Sequence, residues 1–257
     1  MKQIICIKIG GTAADETEAV ISLLEEINEL SKKYNFVLIH GGGKEVSSIS
    51  RVFGIEPQFS DGIRQTSPAE MDIVEMVLAG KVNKKLVRAA GKLGIKAAGI
   101  CGSDTGLFTG TSLGPYSRTG KIDSVNTEII NIFHKNNILP VISSVSMDGS
   151  GEGLNINADE AALEIAETLK AELLIYISDI PGVMIQNRIV SELNEKECQS
   201  WIKRGEISGG MVPKVKSSLD GLRRGIRRII IGDYQENGDI LKFISMKKGT
   251  SLHLKEM

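Results

Sequence analysis

Twice in its first fifty residues the chain runs through a short apolar stretch, breaks into glycines and resumes as a helical pattern, and this succession most constrains its fold. Gln3–Ile9 is apolar and β-branched and is followed at once by Gly10-Gly11, while Phe36–Ile39 ends in His40-Gly41-Gly42-Gly43. Behind the first glycines, Val20, Leu23, Leu24, Ile27 and Leu30 recur at helical spacing between Glu16 and Lys33; behind the second, Glu45–Val52 reads as another helix. Strand, glycine turn and helix in alternation imply an α/β fold with a largely parallel sheet. The pattern continues with strands predicted at Ala97–Ile100, Leu139–Ser143, Leu173–Ile177 and Arg228–Ile231. Helices are predicted at Thr127–Lys135, Ala158–Leu169, Glu195–Lys203 and Val212–Arg224. Ser67-Pro68-Ala69-Glu70 carries a helix start, with Ser67 as N-cap, Pro68 in the first turn and Glu70 completing a capping box. That helix is expected to run through Met71, Val74, Val77 and Leu78, with Met71, Met76 and Val77 in the core. Met147–Gly153 is polar and glycine-rich and reads as a hairpin turn or mobile flap. A lobe boundary is placed near Leu169, giving lobes 1–169 and 170–257 of one continuous fold.

Composition removes several classes of function. With 257 residues and 41% hydrophobic content, the chain can bury a large core without disulfides or metals. Its 28 glycines and six prolines are spread through apolar segments, as tight turns require and disorder does not. A net charge of −1 supplies no global attraction for nucleic acid or an anionic membrane, so any anion site must be local and a small-molecule ligand fits best. Cys6, Cys101 and Cys198 lack CxxC spacing, and neither they nor the three histidines show zinc-ligand spacing, so no metal site is expected. A reducing cytoplasm suits such cysteines. The first strand is too short for a signal segment or membrane span, and the chain reads as mature, soluble protein from its first residues.

Five groups of residues are chemically suggestive. Lys8-Ile9-Gly10-Gly11 places a cation at a strand end before two residues without Cβ, where backbone N–H groups can approach phosphate and the next helix adds its dipole. The local alternative is an ordinary turn with a solvent-facing lysine. His40-Gly41-Gly42-Gly43 repeats the arrangement with three glycines, more conformational freedom than a plain turn needs, and His40 itself reads as a packed or hydrogen-bonded histidine. Neither loop has the spacing of a Walker A or dinucleotide fingerprint. Asp61-Gly62-Ile63-Arg64 offers an arginine able to grip a carboxylate through paired hydrogen bonds, or a surface ion pair. In Asn155-Ile156-Asn157-Ala158-Asp159, alternate polar side chains share a face, while Asn157 or Asp159 is also placed to cap the following helix. Gly205 to Lys214 sets glycines ahead of a helix with a lysine in its first turn, a second candidate phosphate site or a flexible loop. Arg223, Arg224, Arg227 and Arg228 read as a solvated basic face.

Taken in this order, the segments resemble the amino-acid kinase family, and most closely its branch acting on N-acetyl-L-glutamate. The similarity covers nearly the whole chain: Lys8 to Gly11, His40 to Gly43, Asp61 to Arg64 with Thr66, Val77 to Lys84, Asn155 to Asp159, Ser178-Asp179 with Gly182, and Gly210-Met211 with Lys214. The resemblance implies a three-layer α/β sandwich with a central, mainly parallel sheet, an N-terminal lobe for the acceptor and a C-terminal lobe for ATP. It implies that Lys8 and Lys214 stabilise the transferring phosphoryl group, with Asp159 holding the two lysines. Gly42, Gly43, Arg64 and Asn155 would bind the acceptor, the last two at its α-carboxylate. Gly10, Gly11, Ser178, Asp179, Gly182, Val183 and Met184, with Ile207, Ser208, Gly210 and Met211, would border the nucleotide. ATP with Mg²⁺ is the implied cofactor, and arginine biosynthesis the implied setting. A homodimer insensitive to arginine is expected, because the chain starts directly at the first strand and shows no histidine between Gly232 and Glu236. Gly102-Ser103-Asp104 departs from close relatives, which more often have lysine before the aspartate. Kinases of carrier-linked aminoadipate or glutamate usually carry a second basic residue after the site arginine, whereas Arg64 is followed by Gln65-Thr66-Ser67. Isopentenyl phosphate, UMP and aspartate kinases depart further. A non-catalytic sensor of acetylglutamate or nucleotide is the alternative from another class.

Overall fold

The computed structural model of the protein describes residues 2–10, 17–60 and 62–254, so Gly11 and Asp61 lie outside the described residues. In chain order the first half comprises β1 (Gln3–Ile9), α1 (Thr17–Leu30), β2 (Tyr34–His40), α2 (Gly43–Val52), β3 (Phe59–Ser60), β4 (Ile63–Arg64), α3 (Pro68–Glu75), a π-helical turn (Met76–Val82), α4 (Asn83–Lys92), β5 (Ala97–Ile100), β6 (Phe108–Ser112) and β7 (Thr119–Val125). Then come α5 (Glu128–Lys135), β8 (Leu139–Ser143), β9 (Val145–Met147), β10 (Gly153–Ile156), α6 (Ala158–Thr168), β11 (Leu173–Ile177), β12 (Met184–Ile185), β13 (Arg188–Ile189), β14 (Glu192–Asn194), α7 (Glu195–Lys203), α8 (Met211–Arg223), β15 (Ile229–Gly232), α9 (Asp239–Ile244) and β16 (Thr250–His253).

Eight strands form one sheet in the order β14-β16-β15-β11-β1-β2-β8-β5. Every neighbouring pair is parallel except β15 with β16. The alternation of side chains along β1 assigns its two faces. Ile5, Ile7 and Ile9 pack with α1, α3, α4 and α9, whereas Cys6 packs with α5, α6 and α8. Each isoleucine, essentially inaccessible to water, contributes roughly 1.5–3 kcal/mol by its burial. Helices thus cover both faces, and the expected three-layer α/β sandwich is present. The same alternation sends Lys8 to the Cys6 face, toward α6 and α8.

Strand register brings the site residues to one edge. Ile9 pairs with His40 and with Ile177, His40 with Ser143, and Ile177 with Gly232, so these parallel strands end at a common level. Gly10 after β1, the glycines after β2 and the loop after β11 therefore share the carboxyl edge, where open α/β sheets bind ligands. Beside it, β6, β7, β9 and β10 close into a four-stranded barrel that the sequence patterning did not reveal. Met147–Gly153 is indeed a hairpin, with Gly153 paired antiparallel to Met147. Its turn is organised by Asp148, whose Oδ1 accepts from Ser150 N, Ser150 Oγ and Glu152 N, while Arg118 Nη1 lies 3.1 Å from Oδ2.

Three expectations are corrected. Met76 is 55% exposed rather than core, because the chain widens into the π-helical turn there and changes the direction of successive side chains. Ser67 caps α3, but Glu70 does not close a box: its carboxylate turns inward to Arg64 and Ser50. Arg223, Arg224 and Arg227 are solvent-facing, yet each is paired with carboxylates of Glu195 and Asp220, Glu164 and Glu167, or Glu172, so that face is charge-balanced. No helix among the described residues is long and apolar enough to cross a membrane.

Candidate active site

Three charged side chains from distant segments meet at the carboxyl edge. Lys8 comes from the penultimate position of β1, Asp159 from the first turn of α6 and Lys214 from the first turn of α8. Lys8 Nζ is 2.8 Å from Asp159 Oδ1 and Lys214 Nζ is 2.7 Å from Asp159 Oδ2. The lysine side chains are 12% and 13% exposed, dry enough to strengthen their field yet open to a ligand. Burial opposes ionisation of Asp159, but the two ammonium groups outweigh it and hold the carboxyl at about 2. For Lys214, burial lowers the affinity for its proton, Asp159 restores part of it and Lys8 opposes it, leaving the group below the ordinary lysine range. With one carboxylate between two cations, the trio keeps a net positive charge for an incoming anion.

Local sequence explains these positions. Asn157 is the N-cap of α6, its Oδ1 accepting from Asp159 N at 2.8 Å, so the motif supplies both a cap and the carboxylate that pairs with the two lysines. At Gly10 a Cβ would overlap Lys8 Nζ, so a larger residue would displace the ammonium from its present position. Tyr176, absent from the sequence-derived set, completes the floor. Its ring centroid lies 5.0 Å from Lys214 Nζ and its hydroxyl donates to Asp159 O at 3.1 Å. Being buried, and then facing Asp159, its phenol is held well above the usual range and stays a donor.

Beside Lys8 opens a cavity of about 230 Å³. Gly41, Gly42 and Gly43 form one wall, and Arg64 and Asn155 contribute polar groups. Val46, Phe59, Ile63, Leu78 and Ile156 give it an apolar side. The described lining residues include the cations Lys8 and Arg64 and no carboxylate. At Gly42 a Cβ would come within 2.8 Å of Leu78 Cδ2, so only glycine lets the loop lie against the π-helical turn. Gly43 opens α2, whose N-terminus has no side-chain cap, leaving first-turn amides for an anion.

Arg64 is 7% exposed and held from several sides. It donates to Glu70 Oε1 at 2.7 Å, Gly43 O at 2.9 Å and Ser47 Oγ at 2.5 Å, and its guanidinium carbon sits 4.9 Å over the Phe59 ring. Asn155 Nδ2 donates to Thr66 Oγ1 at 2.8 Å, and Thr66 N donates to Thr119 Oγ1, which donates onward to Arg64 O. The arginine, the Gly43 end of the glycine loop and β10 are therefore one connected unit. Glu70, Ser47 and Thr119 were missed; Glu70 carried a local capping pattern that concealed it, and Thr119 lies in the unrecognised barrel.

The segments assigned to the nucleotide are placed less uniformly. Ser178 and Asp179 follow β11 at the carboxyl edge, with Ser178 N bonded to Gly232 O at 2.8 Å and its Oγ accepting from Ile180 N. Ser208 and Gly210 are exposed, Met211 opens α8, and Gly210 is its N-cap without a side-chain bond, so helix amides face the same edge. Met184 is 42% exposed. Gly182, Val183 and Ile207 instead anchor loops. A Cβ on Gly182 would lie 2.7 Å from Thr250 Oγ1, Val183 N donates to that hydroxyl and Val183 O accepts from Val190 N, and the Val183 and Ile207 side chains are buried in the core. Compact β-structure around Thr250 takes up the groups that the sequence offered to a ligand. Among the described residues no group of three His, Cys, Asp or Glu side chains gathers to hold a metal. The donor set of ammonium groups and helix amides fits phosphate oxygens.

Fold and site define an α/β protein that concentrates fixed cations and main-chain amides on small anions at the carboxyl edge of a parallel sheet. The profile of the Amino acid kinase family matches residues 3–233. The chain is 38% identical over 237 residues to acetylglutamate kinase of Brachyspira hyodysenteriae, covering 89% of this chain and 82% of that one. It is 37% identical over 234 residues to acetylglutamate kinase of Bacillus velezensis, covering 90% of each. A crystal structure from Streptococcus mutans superposes with a TM-score of 0.83 at 25% identity over 99% of this chain and all of that one. The chain belongs to the amino acid kinase family.

Proposed function

We propose that the protein transfers the γ-phosphoryl group of ATP to the side-chain carboxylate of N-acetyl-L-glutamate, releasing ADP and an acyl phosphate. The observation that carries this reading is the convergence of Lys8 and Lys214 on Asp159 beside a cationic cavity whose described lining has no carboxylate. A glutamate-type carboxylate ionises near about 4.3 and is already a nucleophile at neutral pH, so no general base is needed. The difficulty is bringing one anion to another. An oxygen of the carboxylate bonds to the γ-phosphorus while the bond to the β-phosphate bridging oxygen breaks, that oxygen leaving with ADP. Lys8 and Lys214 stabilise the equatorial charge, Asp159 holds the two lysines in place, and the amides of the Gly41–Gly43 loop and the α8 N-terminus supply dipoles that need no reorganisation. Gly10 lies next to the same phosphates.

The cavity also favours an acylated amine. A free α-ammonium would find no carboxylate among the described lining residues, whereas an acetyl group meets Phe59, Ile63 and Leu78. Arg64 and Asn155 bind the α-carboxylate. The acceptor belongs to the N-terminal lobe, 1–169, and the nucleotide to 170–257, bordered by Ser178, Asp179, Met184, Ser208, Gly210 and Met211. Mg²⁺ is held chiefly by the nucleotide phosphates and water. The reading extends to a homodimer in the cytoplasm serving arginine biosynthesis, with the Met147–Gly153 hairpin limiting water access to the acyl phosphate. An ADP-release assay across N-acetylglutamate, glutamate, aspartate, UMP and carbamate tests it. The highest kcat/KM is expected for N-acetylglutamate; a different preferred acceptor, or no turnover, refutes it.

A further inference from the structure

We propose that His40 is a positioning residue for the phosphoryl transfer described above: held as a single neutral tautomer by Asn83, it orients the Gly41–Gly42 peptide so that the Gly42 amide faces the acceptor cavity. The inference rests on the proposed function for its catalytic consequence, and on geometry alone for the tautomer.

His40 and Asn83 are completely buried. His40 Nδ1 is 2.8 Å from Gly41 O and Nε2 is 3.0 Å from Asn83 Nδ2. The partners leave one assignment. A carbonyl oxygen only accepts, so Nδ1 carries the proton; an amide NH₂ only donates, so Nε2 is the acceptor. The orientation of Asn83 is fixed in turn, because its Nδ2 also donates to Val141 O at 2.9 Å while its Oδ1 accepts from Lys84 Nζ at 2.9 Å. Lys84 Nζ is tied further to Gly99 O at 2.7 Å. Burial, with Lys84 acting in the same direction, lowers His40 to about 4, against the partial support of the Gly41 carbonyl. The ring is therefore neutral at physiological pH.

In a trans peptide the C=O and N–H point in opposite directions, and no peptide bond among the described residues is cis. A Gly41 carbonyl drawn to the buried imidazole therefore turns the Gly42 N–H away from the interior, on the side where Gly41–Gly43 line the cavity. The π-helical turn supports this from a second direction. Leu78 and Val82 close on the Cα of Gly42, where a Cβ would meet them at 2.8 and 3.2 Å, and Asn83 follows directly. An α-helical turn widened by one residue is a recurrent feature of functional sites; here it brings Leu78, Val82 and Asn83 to one loop. His40 touches no reacting atom, so its contribution is to keep an amide aimed.

Two measurements on the intact protein test this. Long-range ¹H–¹⁵N spectra of the wild type are expected to show the Nδ1–H tautomer for His40 from pH 8 down to about pH 5, in keeping with its burial; an Nε2–H tautomer or an imidazolium overturns the assignment. Loss of one aimed donor lowers kcat by about 100-fold, which is the expectation for His40→Leu, with both KM values within about threefold. His40→Asn keeps a donor at the Nδ1 position and is expected to recover at least tenfold of that loss, as misplacement rather than absence of the amide predicts. Equal loss in both variants, an unchanged kcat in His40→Leu, or a loss confined to KM overturns the proposal. If His40→Leu does not fold, Asn83→Ala decides: kcat about tenfold lower with Nε2–H appearing supports it, and an unchanged rate contradicts it. A wild type inactive on every acceptor refutes the proposed function, while the tautomer still decides the geometry.

Discussion

The two halves of the site, proposed above for acceptor and nucleotide, are built to different standards. On the acceptor side, Arg64, Gly43, Ser47, Glu70, Thr66, Asn155 and Thr119 form a continuous hydrogen-bonded unit, and the glycine wall is pinned against Leu78 and Val82. On the nucleotide side, Ser208 and Gly210 are exposed, Met184 is 42% exposed, and the α8 N-terminus has no side-chain cap. On the proposed reading, a rigid acceptor half discriminates by shape and paired charge, whereas an open half takes its order from the polyphosphate it receives. Lys8–Asp159–Lys214 is where the halves join.

Breaking that joint gives the largest effect. Asp159→Ala leaves two ammonium groups close together without a counter-charge, and in this partly buried set the loss is expected at about 3 kcal/mol, the lower end for breaking a buried pair. Urea unfolding is expected to show a loss of that size, and kcat to fall by about 10³ as the lysines separate; a variant retaining both stability and rate would show the two halves to be independent. Arg64→Lys sharpens the contrast. It keeps the charge but loses the fork that binds Glu70, Gly43 and Ser47, and the acceptor KM is expected to rise about 30-fold, or roughly 2 kcal/mol, with the nucleotide KM unchanged. Equal changes in both KM values would mean the halves are not separately organised.

Glycine substitutions report rigidity directly. Gly42→Ala drives a Cβ into Leu78 and Val82, and overpacking of this kind costs about 1–3 kcal/mol. Gly210 has helical φ, −64°, and nothing within 4 Å of its Cβ position, so Gly210→Ala is expected to stabilise by about 0.4–1 kcal/mol. Thermal unfolding checks both; destabilisation by both variants would remove the distinction. Tyr176→Phe is smaller again, because the ring stays under Lys214 and only the bond to Asp159 O is lost, about 1 kcal/mol in stability and several-fold in kcat.

The smallest effects are those of pH. Lys214, lowered by burial, is expected to lose its proton below the ordinary lysine range, so the alkaline fall in kcat/KM begins at a lower pH than an unperturbed lysine would give. Asp148 is held at about 2, chiefly by the Ser150 hydroxyl and then by main-chain amides and Arg118, against a modest opposing effect of burial. Its contribution is fully present above the unfolded value of about 4 and disappears as pH falls toward 2. Asp148→Asn should flatten stability across that interval, and an unchanged acid profile would contradict the assigned role of the β9–β10 turn.

Much of this was legible because it is local. Alternation along β1 and the helical spacing behind it fixed the layers, and glycines after apolar strands marked the carboxyl edge. Lys8, Asp159 and Lys214 each sat at an element boundary with a recognisable pattern. What escaped depends on partners far along the chain. Ser67-x-x-Glu70 satisfies a capping pattern, and only the fold shows that Glu70 belongs to Arg64. Residues 76–82 have helical periodicity whether the turn is α or π, yet the wider turn exposes Met76 and brings Asn83 to His40. The small barrel was hidden because Phe108–Ser112 and Thr119–Val125 are short, mixed in polarity and paired with strands elsewhere. Val183 and Ile207 looked available because sequence cannot tell a ligand-facing loop from one whose side chains are buried in the core, with Val183 N also taken up by Thr250.

Lys8→Ala, Lys214→Ala and the double variant, each followed by kcat and by calorimetric affinity for both reactants, test the joint most directly. Each single change is expected to lower kcat by about 10²–10³, with affinities altered far less, and the double variant to lose much less than the product because the lysines act as one unit. Single variants that turn over at wild-type rates, or losses that multiply independently, would contradict the account.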